Sequence, residues 1–272
     1  MKRCIYIIAI AFVFLTMISC DFISENRNSD NLVFADEFNY TGMPDSSKWT
    51  YFTNDKTWGW GKNELQAYTF KRDTNAYVSN GVLKITARKE EFKGKKYTSA
   101  RLTSHSSEGW KYVTIKIKAK ADLPQGTTCK IYMLPVAWEY GPWPESGAIH
   151  IMEMKGSQPN KVSGIIQTKI YNRSLGNQRQ EVYDLGVKQN DFNLYKLSWT
   201  ESKLAFFVND KKYHTYKKRI DNHEYWPFDQ EFYLLLSISV GGDGVLKQDI
   251  NPDDFPAILQ IDYIRIHQSV TN

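Results

Sequence analysis

The stretch Val113-Thr114-Ile115-Lys116-Ile117-Lys118-Ala119-Lys120-Ala121, entered through Tyr112, alternates apolar with polar side chains along its length. On a β-strand successive side chains point to opposite faces, so Val113, Ile115, Ile117 and Ala119 share one face while Thr114, Lys116, Lys118 and Lys120 share the other. That pattern predicts a half-buried antiparallel strand with its apolar face on a core. Working outward, Gly81 to Arg88 shows the same period, with Leu83, Ile85 and Ala87 opposite Val82, Lys84, Thr86 and Arg88. Leu32 to Phe38, Phe232 to Gly242 and Ile258 to His267 read as further strands, and Leu204 to Tyr216 as a hairpin turning at Asn209-Asp210. No helical period runs beyond about two turns. The chain has 272 residues, 42% hydrophobic and 14% aromatic, which suits one large all-β domain.

Charge excludes one class of partner. The net charge of +5 is spread over 35 basic and 30 acidic residues, and the basic clusters are as short as Lys211-Lys212 and Lys217-Lys218-Arg219. A nucleic-acid binder would gather its Lys and Arg on one stripe, so a solvated surface is the reading and no nucleic acid is expected.

The N-terminus reads as a targeting segment. Lys2 and Arg3 precede an apolar run from Ile5 to Ile18, short for a bilayer span, and the run closes on Ile18-Ser19-Cys20. This resembles a bacterial lipoprotein signal in which Cys20 becomes the lipidated first residue. Residues 1–19 are then a signal peptide, 20–31 a tether and 32–268 the domain. The protein is expected to be exported to an outer-membrane, cell-surface or periplasmic face, touching the membrane only through its lipid anchor, and to be monomeric. Cys4 and Cys20 belong to the signal region, which leaves Cys129 alone in the mature domain, without a disulfide partner and read as a small core residue.

The chemistry centres on Gly147-Ala148-Ile149-His150-Ile151-Met152-Glu153. Strict alternation sends Glu153 to the face opposite Ala148 and His150; one bulged residue near Met152 returns it to theirs. Extended back to Trp143-Pro144-Glu145-Ser146, this stretch resembles the signature of glycoside hydrolase family 16, the laminarinase, agarase and carrageenase group, in its bulged form. That signature reads Glu-Ile-Asp-Ile-Met-Glu: nucleophile, orienting Asp, acid/base. The resemblance places the acid/base on Glu153, the nucleophile position on Ala148 and the Asp position on His150. The retaining mechanism needs two carboxyl groups about 5–5.5 Å apart, and position 148 carries a methyl group.

Other segments carry the same resemblance. Asp36-Glu37-Phe38-Asn39 with Lys48-Trp49 is similar to the family's N-terminal strand. Trp58-Gly59-Trp60-Gly61-Lys62-Asn63-Glu64-Leu65-Gln66 is similar to its Trp-Gly-Asn-Asn-Glu-Leu-Gln loop, with Lys62 for the first Asn. Thr98-Ser99-Ala100-Arg101-Leu102 resembles Thr-Ser-Gly-Arg-Ile, and Asp262-Tyr263-Ile264-Arg265 the closing strand. Departures gather elsewhere. Gly126 to Pro135 has Thr128 for a cleft Trp; Val162 to Thr168 lacks a His-Gly-x-x-His pair; Ser237 stands for Asn; and no Trp follows Gly241-Gly242.

The resemblance implies a β-jelly-roll sandwich of two antiparallel sheets, of the concanavalin A-like lectin and glucanase type. It implies a cleft for a β-linked polysaccharide or oligosaccharide, with Trp58, Trp60, Asn63, Arg101, Trp138 and Trp143 as binding residues. No cofactor is required, although a structural calcium at Glu37 and Asp262 is implied. Three functions are compatible with these residues. The first is a glycan-binding protein, inactive by the retaining route. The second is an endo-β-glycosidase, β-1,3-glucanase or galactanase-like, pairing Glu153 with a relocated carboxylate such as Glu139 or Glu145, or using His150 as a base. The third is a structural or interaction sandwich. His150 itself reads as a hydrogen-bonded filler of a vacated carboxylate pocket, since no second His or Cys stands beside it at metal-ligand spacing.

Overall fold

The computed structural model describes residues 30–53, 63–104, 109–186, 191–242 and 249–269. In the first part of the chain the strands are β1 (Asp30–Asp36), β2 (Trp49–Tyr51), β3 (Gln66–Tyr68), β4 (Ala76–Ser79), β5 (Val82–Phe92), β6 (Lys95–Ser99) and β7 (Arg101–Ser104). Then come β8 (Val113–Asp122), β9 (Thr127–Pro135), β10 (Ala148–Lys155), β11 (Lys161–Gln167) and β12 (Arg179–Asp184). The last are β13 (Asn193–Thr200), β14 (Lys203–Val208), β15 (Lys211–Lys217), β16 (Phe232–Val240) and β17 (Ala257–Ser269).

These strands form two sheets. The larger runs β15-β14-β13-β8-β17-β5-β6-β3, with β1 on β17 and β4 on β5; the smaller runs β12-β11-β10-β9-β16-β7-β2. Every described pairing is antiparallel except that of β3 with β6. The architecture is the jelly-roll sandwich expected.

Alternation explains the core. On β8 every second residue from Val113 to Ala121 is buried, and on β5 Leu83, Ile85 and Ala87 are fully buried, as the sequence predicts. The Asn209-Asp210 turn holds both residues at positive φ, 47° and 63°, a conformation Asn and Asp tolerate better than most side chains. On the smaller sheet the faces divide by function. Cys129, Ile131 and Met133 of β9 and Leu234, Leu236 and Ile238 of β16 enter the core, while Thr128, Lys130, Tyr132, Ser237 and Ser239 line a cleft on the other face. Cys129 is a buried core residue, and burial pushes its thiol up to about 12, which makes it inert as a nucleophile.

Asp36 ties the first strand to the sandwich. Its carboxylate accepts from the Phe38 backbone N–H at 3.0 Å and from Trp49 Nε1 at 2.8 Å, and Trp49 stacks against Phe38 in the core. Ile115, at the centre of β8 and fully buried, is expected to cost ~2–5 kcal/mol when cut to Ala, whereas Lys116→Ala on the solvent face stays within about 0.5 kcal/mol. Urea denaturation of the two variants measures both.

Candidate glycan cleft

The cleft lies across the smaller sheet and encloses about 460 Å³. Its floor depends on an irregularity in β10. Against β9, His150 pairs with Tyr132 and Met152 with Ile131, so Ile151 is an extra residue; against β11 the register likewise shifts between His150 and Glu153. Ile149, Ile151, Met152 and Met154 all enter the core, and Ala148, His150 and Glu153 all line the cleft. The bulge therefore does what the sequence requires of it. Gly147, just before the strand, has φ 76°, and a Cβ there would stand 2.6 Å from Pro227 Cγ.

Ala148 is buried and packs in a small apolar cluster with Tyr132, Leu134 and Leu235, flanked by Trp138, Trp143 and Tyr233. No carboxylate reaches that position from β10. His150 and Glu153 are bonded to each other, Nδ1 to Oε2 at 3.1 Å. Arg173 Nη2 lies 3.0 Å from both Glu153 oxygens, and Tyr132 stacks on the imidazole at 5.3 Å.

The network assigns the imidazole proton. The Arg173 backbone N–H donates to Gln167 Oε1 at 3.2 Å, so the Gln167 amide nitrogen faces His150 Nε2 at 2.9 Å. An NH₂ group only donates, hence Nε2 accepts and Nδ1 carries the hydrogen given to Glu153. Burial favours neutral imidazole and lowers the His150 pKa despite the neighbouring carboxylate. For Glu153 burial works the other way and favours the protonated form. The His150 hydrogen bond and the charges of Lys130 and Arg173 outweigh it, holding the carboxyl well below the usual range. Glu153 is thus a carboxylate at neutral pH.

The other residues expected at the site separate into groups. Trp143, Asn63 and Arg101 line the cleft. Arg101 is buried, its guanidinium 4.5 Å from the Phe52 ring and 4.3 Å from that of Tyr68, and its Nε donates to the Phe52 carbonyl at 3.3 Å. Trp138 packs against the same apolar cluster as Trp143 and is not among the residues that line the cleft. Trp58, Trp60 and Cys20 lie outside the described residues. Glu139 and Glu145, the relocated carboxylates considered from sequence, do not line the cleft; Glu64 does, accepting from Gln66 Nε2 at 2.7 Å and Tyr68 Oη at 3.4 Å.

The calcium expectation meets a different chemistry. Arg265 binds Glu37 through Nε at 2.7 Å and Nη2 at 2.8 Å, and Lys118 Nζ lies 2.8 Å from Asp262. Each carboxylate already has a cation, and among the described residues no group of three or more His, Cys, Asp or Glu could hold a metal. These two residues do not fit a calcium site.

Sequence reading missed Arg173, Gln167, Lys130 and Lys155. The pairing of Lys130 with Glu153 becomes legible once the bulge sets the register, but Arg173 sits 20 residues beyond its carboxylate in a one-turn 3₁₀ helix, Arg173–Leu175, with no local signal.

The sequence matches the family Glycosyl hydrolases family 16 over residues 63–264. The chain belongs to that family. A beta-glucanase from Rhodothermus marinus is 39% identical over 271 residues, covering 96% of this chain and 94% of the relative. Glucan endo-1,3-beta-glucosidase A1 of Niallia circulans is 33% identical over 264 residues, 88% of this chain and 38% of the relative. The X-ray structure of the laminarinase from Rhodothermus marinus superposes with a TM-score of 0.84 at 39% identity, covering 89% of this chain and 98% of that one. The family 16 match thus extends through both sheets, and positions 148 and 150 lie within it.

His150 has a folded pKa below its unfolded value, so from near pH 6.5 downward the unfolded chain binds the proton that the folded chain refuses. Its contribution to stability is present above that pH and lost as pH falls. Urea midpoints from pH 8 to pH 5 should fall more steeply for the wild type than for His150→Asn; buried His214 is common to both and cancels in the comparison.

Proposed function

We propose that this family 16 chain recognises a β-linked polysaccharide or oligosaccharide in the cleft over its smaller sheet, without cleaving it by the retaining route. The observation that carries the reading is the state of positions 148 and 153: a methyl group where the resemblance places the nucleophile, and a buried Glu153 engaged by His150 and Arg173 where it places the acid/base. Retaining hydrolysis asks for a carboxylate at the first and a proton at the second. The relatives' names, beta-glucanase and glucan endo-1,3-beta-glucosidase, support a glucan backbone with β-1,3 links as the ligand class. Trp143 and the buried Arg101 supply an aromatic face and a donor to such a chain.

Those same names favour a second reading, hydrolysis with Glu153 and another carboxylate. Glu64 is the residue in place for it, since it lines the same cleft. An inverting pair needs one carboxylic acid and one carboxylate about 6.5–9.5 Å apart. The charges around Glu153 make it the base of such a pair, and Glu64 would have to hold the proton.

Release of reducing ends separates the two readings. On β-1,3-glucans, mixed-linkage glucans and galactans the wild type is expected to show no turnover above Glu153→Gln. It should still be retarded in gels carrying the recognised glycan, and Trp143→Ala should weaken that retardation roughly tenfold or more. Turnover that Glu153→Gln and Glu64→Gln each abolish would establish the hydrolase instead. Ala148→Glu with His150→Asp is expected to restore activity to a vacated site on an intact scaffold.

We also infer export and lipid attachment at Cys20, on the strength of Lys2-Arg3, the apolar run and the Ile18-Ser19-Cys20 ending. Labelled palmitate fed to expressing bacteria should mark the wild type and not Cys20→Ser; an unlabelled wild type would remove the anchor.

A further inference from the structure

The charged residues lining the cleft are four cations, Arg101, Lys130, Lys155 and Arg173, against two carboxylates, Glu64 and Glu153. Both carboxylates are occupied. Glu153 is held by Arg173 and His150, and Glu64 by Gln66 and Tyr68. Arg101 is engaged by Phe52 and Tyr68. Lys130, by contrast, faces Glu153 across the strands without closing an ion pair on it, and Lys155 forms no ion pair among the described residues.

Strand register places these two lysines together. Across β9 and β10, Lys130 stands opposite Glu153 and Thr128 opposite Lys155; across β9 and β16, Lys130 stands opposite Ser237 and Thr128 opposite Ser239. Lys130 and Lys155 are therefore diagonal neighbours on one face, a relation that spans about 7–8 Å. Like charges at that range repel, and the one carboxylate between them already carries Arg173. Around them are the hydroxyls of Thr128, Ser237 and Ser239, where the resemblance would have put a Trp at 128 and an Asn at 237. Laying a neutral sugar over this floor would strip water from two ammonium groups and return no counter-charge. An acidic group laid there gains charge-assisted hydrogen bonds from the lysines and ordinary ones from the hydroxyls.

We propose that the glycan taken by this cleft carries acidic substituents, carboxylate or sulfate, seated over the floor formed by Thr128, Lys130, Lys155, Ser237 and Ser239. The proposal rests on the reading of the cleft as a glycan site and names the class of glycan.

Titration calorimetry of the full chain tests it with three ligands of one backbone: a β-1,3-gluco-oligosaccharide, its carboxymethylated form and its sulfated form. The acidic forms are expected to bind at least ~10-fold tighter than the neutral parent at low salt, with the advantage shrinking toward one as salt rises. In Lys130→Gln with Lys155→Gln the ratio of acidic to neutral affinity should fall close to one, while circular dichroism shows the fold retained. The better of the two acidic forms identifies the substituent. Equal affinity for neutral and acidic forms overturns the inference and leaves glycan recognition standing. So does equally tight binding of dextran sulfate, which would reduce the preference to bulk charge. Binding of none of the three, with no binding across the wider glycan panel either, overturns the recognition reading and this inference with it.

Discussion

One extra residue in β10 sets the chemistry of the whole cleft. Without the shift between His150 and Met152, Glu153 would point into the sandwich beside Ile149 and Ile151, where a carboxylate has no partner, and Met152 and Met154 would face the cleft. With it, four apolar side chains of the strand stay in the core while Ala148, His150 and Glu153 share the cleft face. The constraint is topological. A strand's side-chain period is two, so only an inserted residue can change which face a distant position occupies. The antiparallel neighbours β9 and β11 absorb the shift, and the core closes beneath it.

That placement has an electrostatic consequence. Glu153 is almost fully buried, and a buried carboxylate survives as an ion only when cations and donors surround it. Arg173, Lys130 and the Nδ1–H of His150 supply them, and Gln167 fixes the tautomer that makes the last of these a donor. An aspartate at position 150, as the resemblance expects, would add a negative charge beside Glu153 and favour its proton. The imidazole does the opposite. His150 and Arg173 therefore act in one direction, both stabilising the charged form of Glu153.

Asp36 and Trp49 are packing residues that bond to each other in the interior. Positions 128, 148, 150 and 237 lie on the outer face of the smaller sheet, where their side chains line the cleft. A sandwich holds its shape through its inner faces, so its outer face can change chemistry at little cost in stability.

Alternation in the amino-acid sequence was enough to determine the all-β class, the faces of β5 and β8 and the Asn209-Asp210 hairpin, because strand periodicity is a local property that burial on one side imposes directly. The local pattern of the Gly147 to Glu153 stretch likewise exposed the need for a bulge, which the register against β9 contains. The tertiary structure alone decided which charges meet. Arg173 reaches Glu153 from 20 residues away, Glu64 enters the cleft where Glu139 and Glu145 do not, and Glu37 and Asp262 each close on a cation instead of sharing calcium. Ion pairing depends on distances of a few ångströms between segments far apart in the chain, and no period in the sequence encodes them.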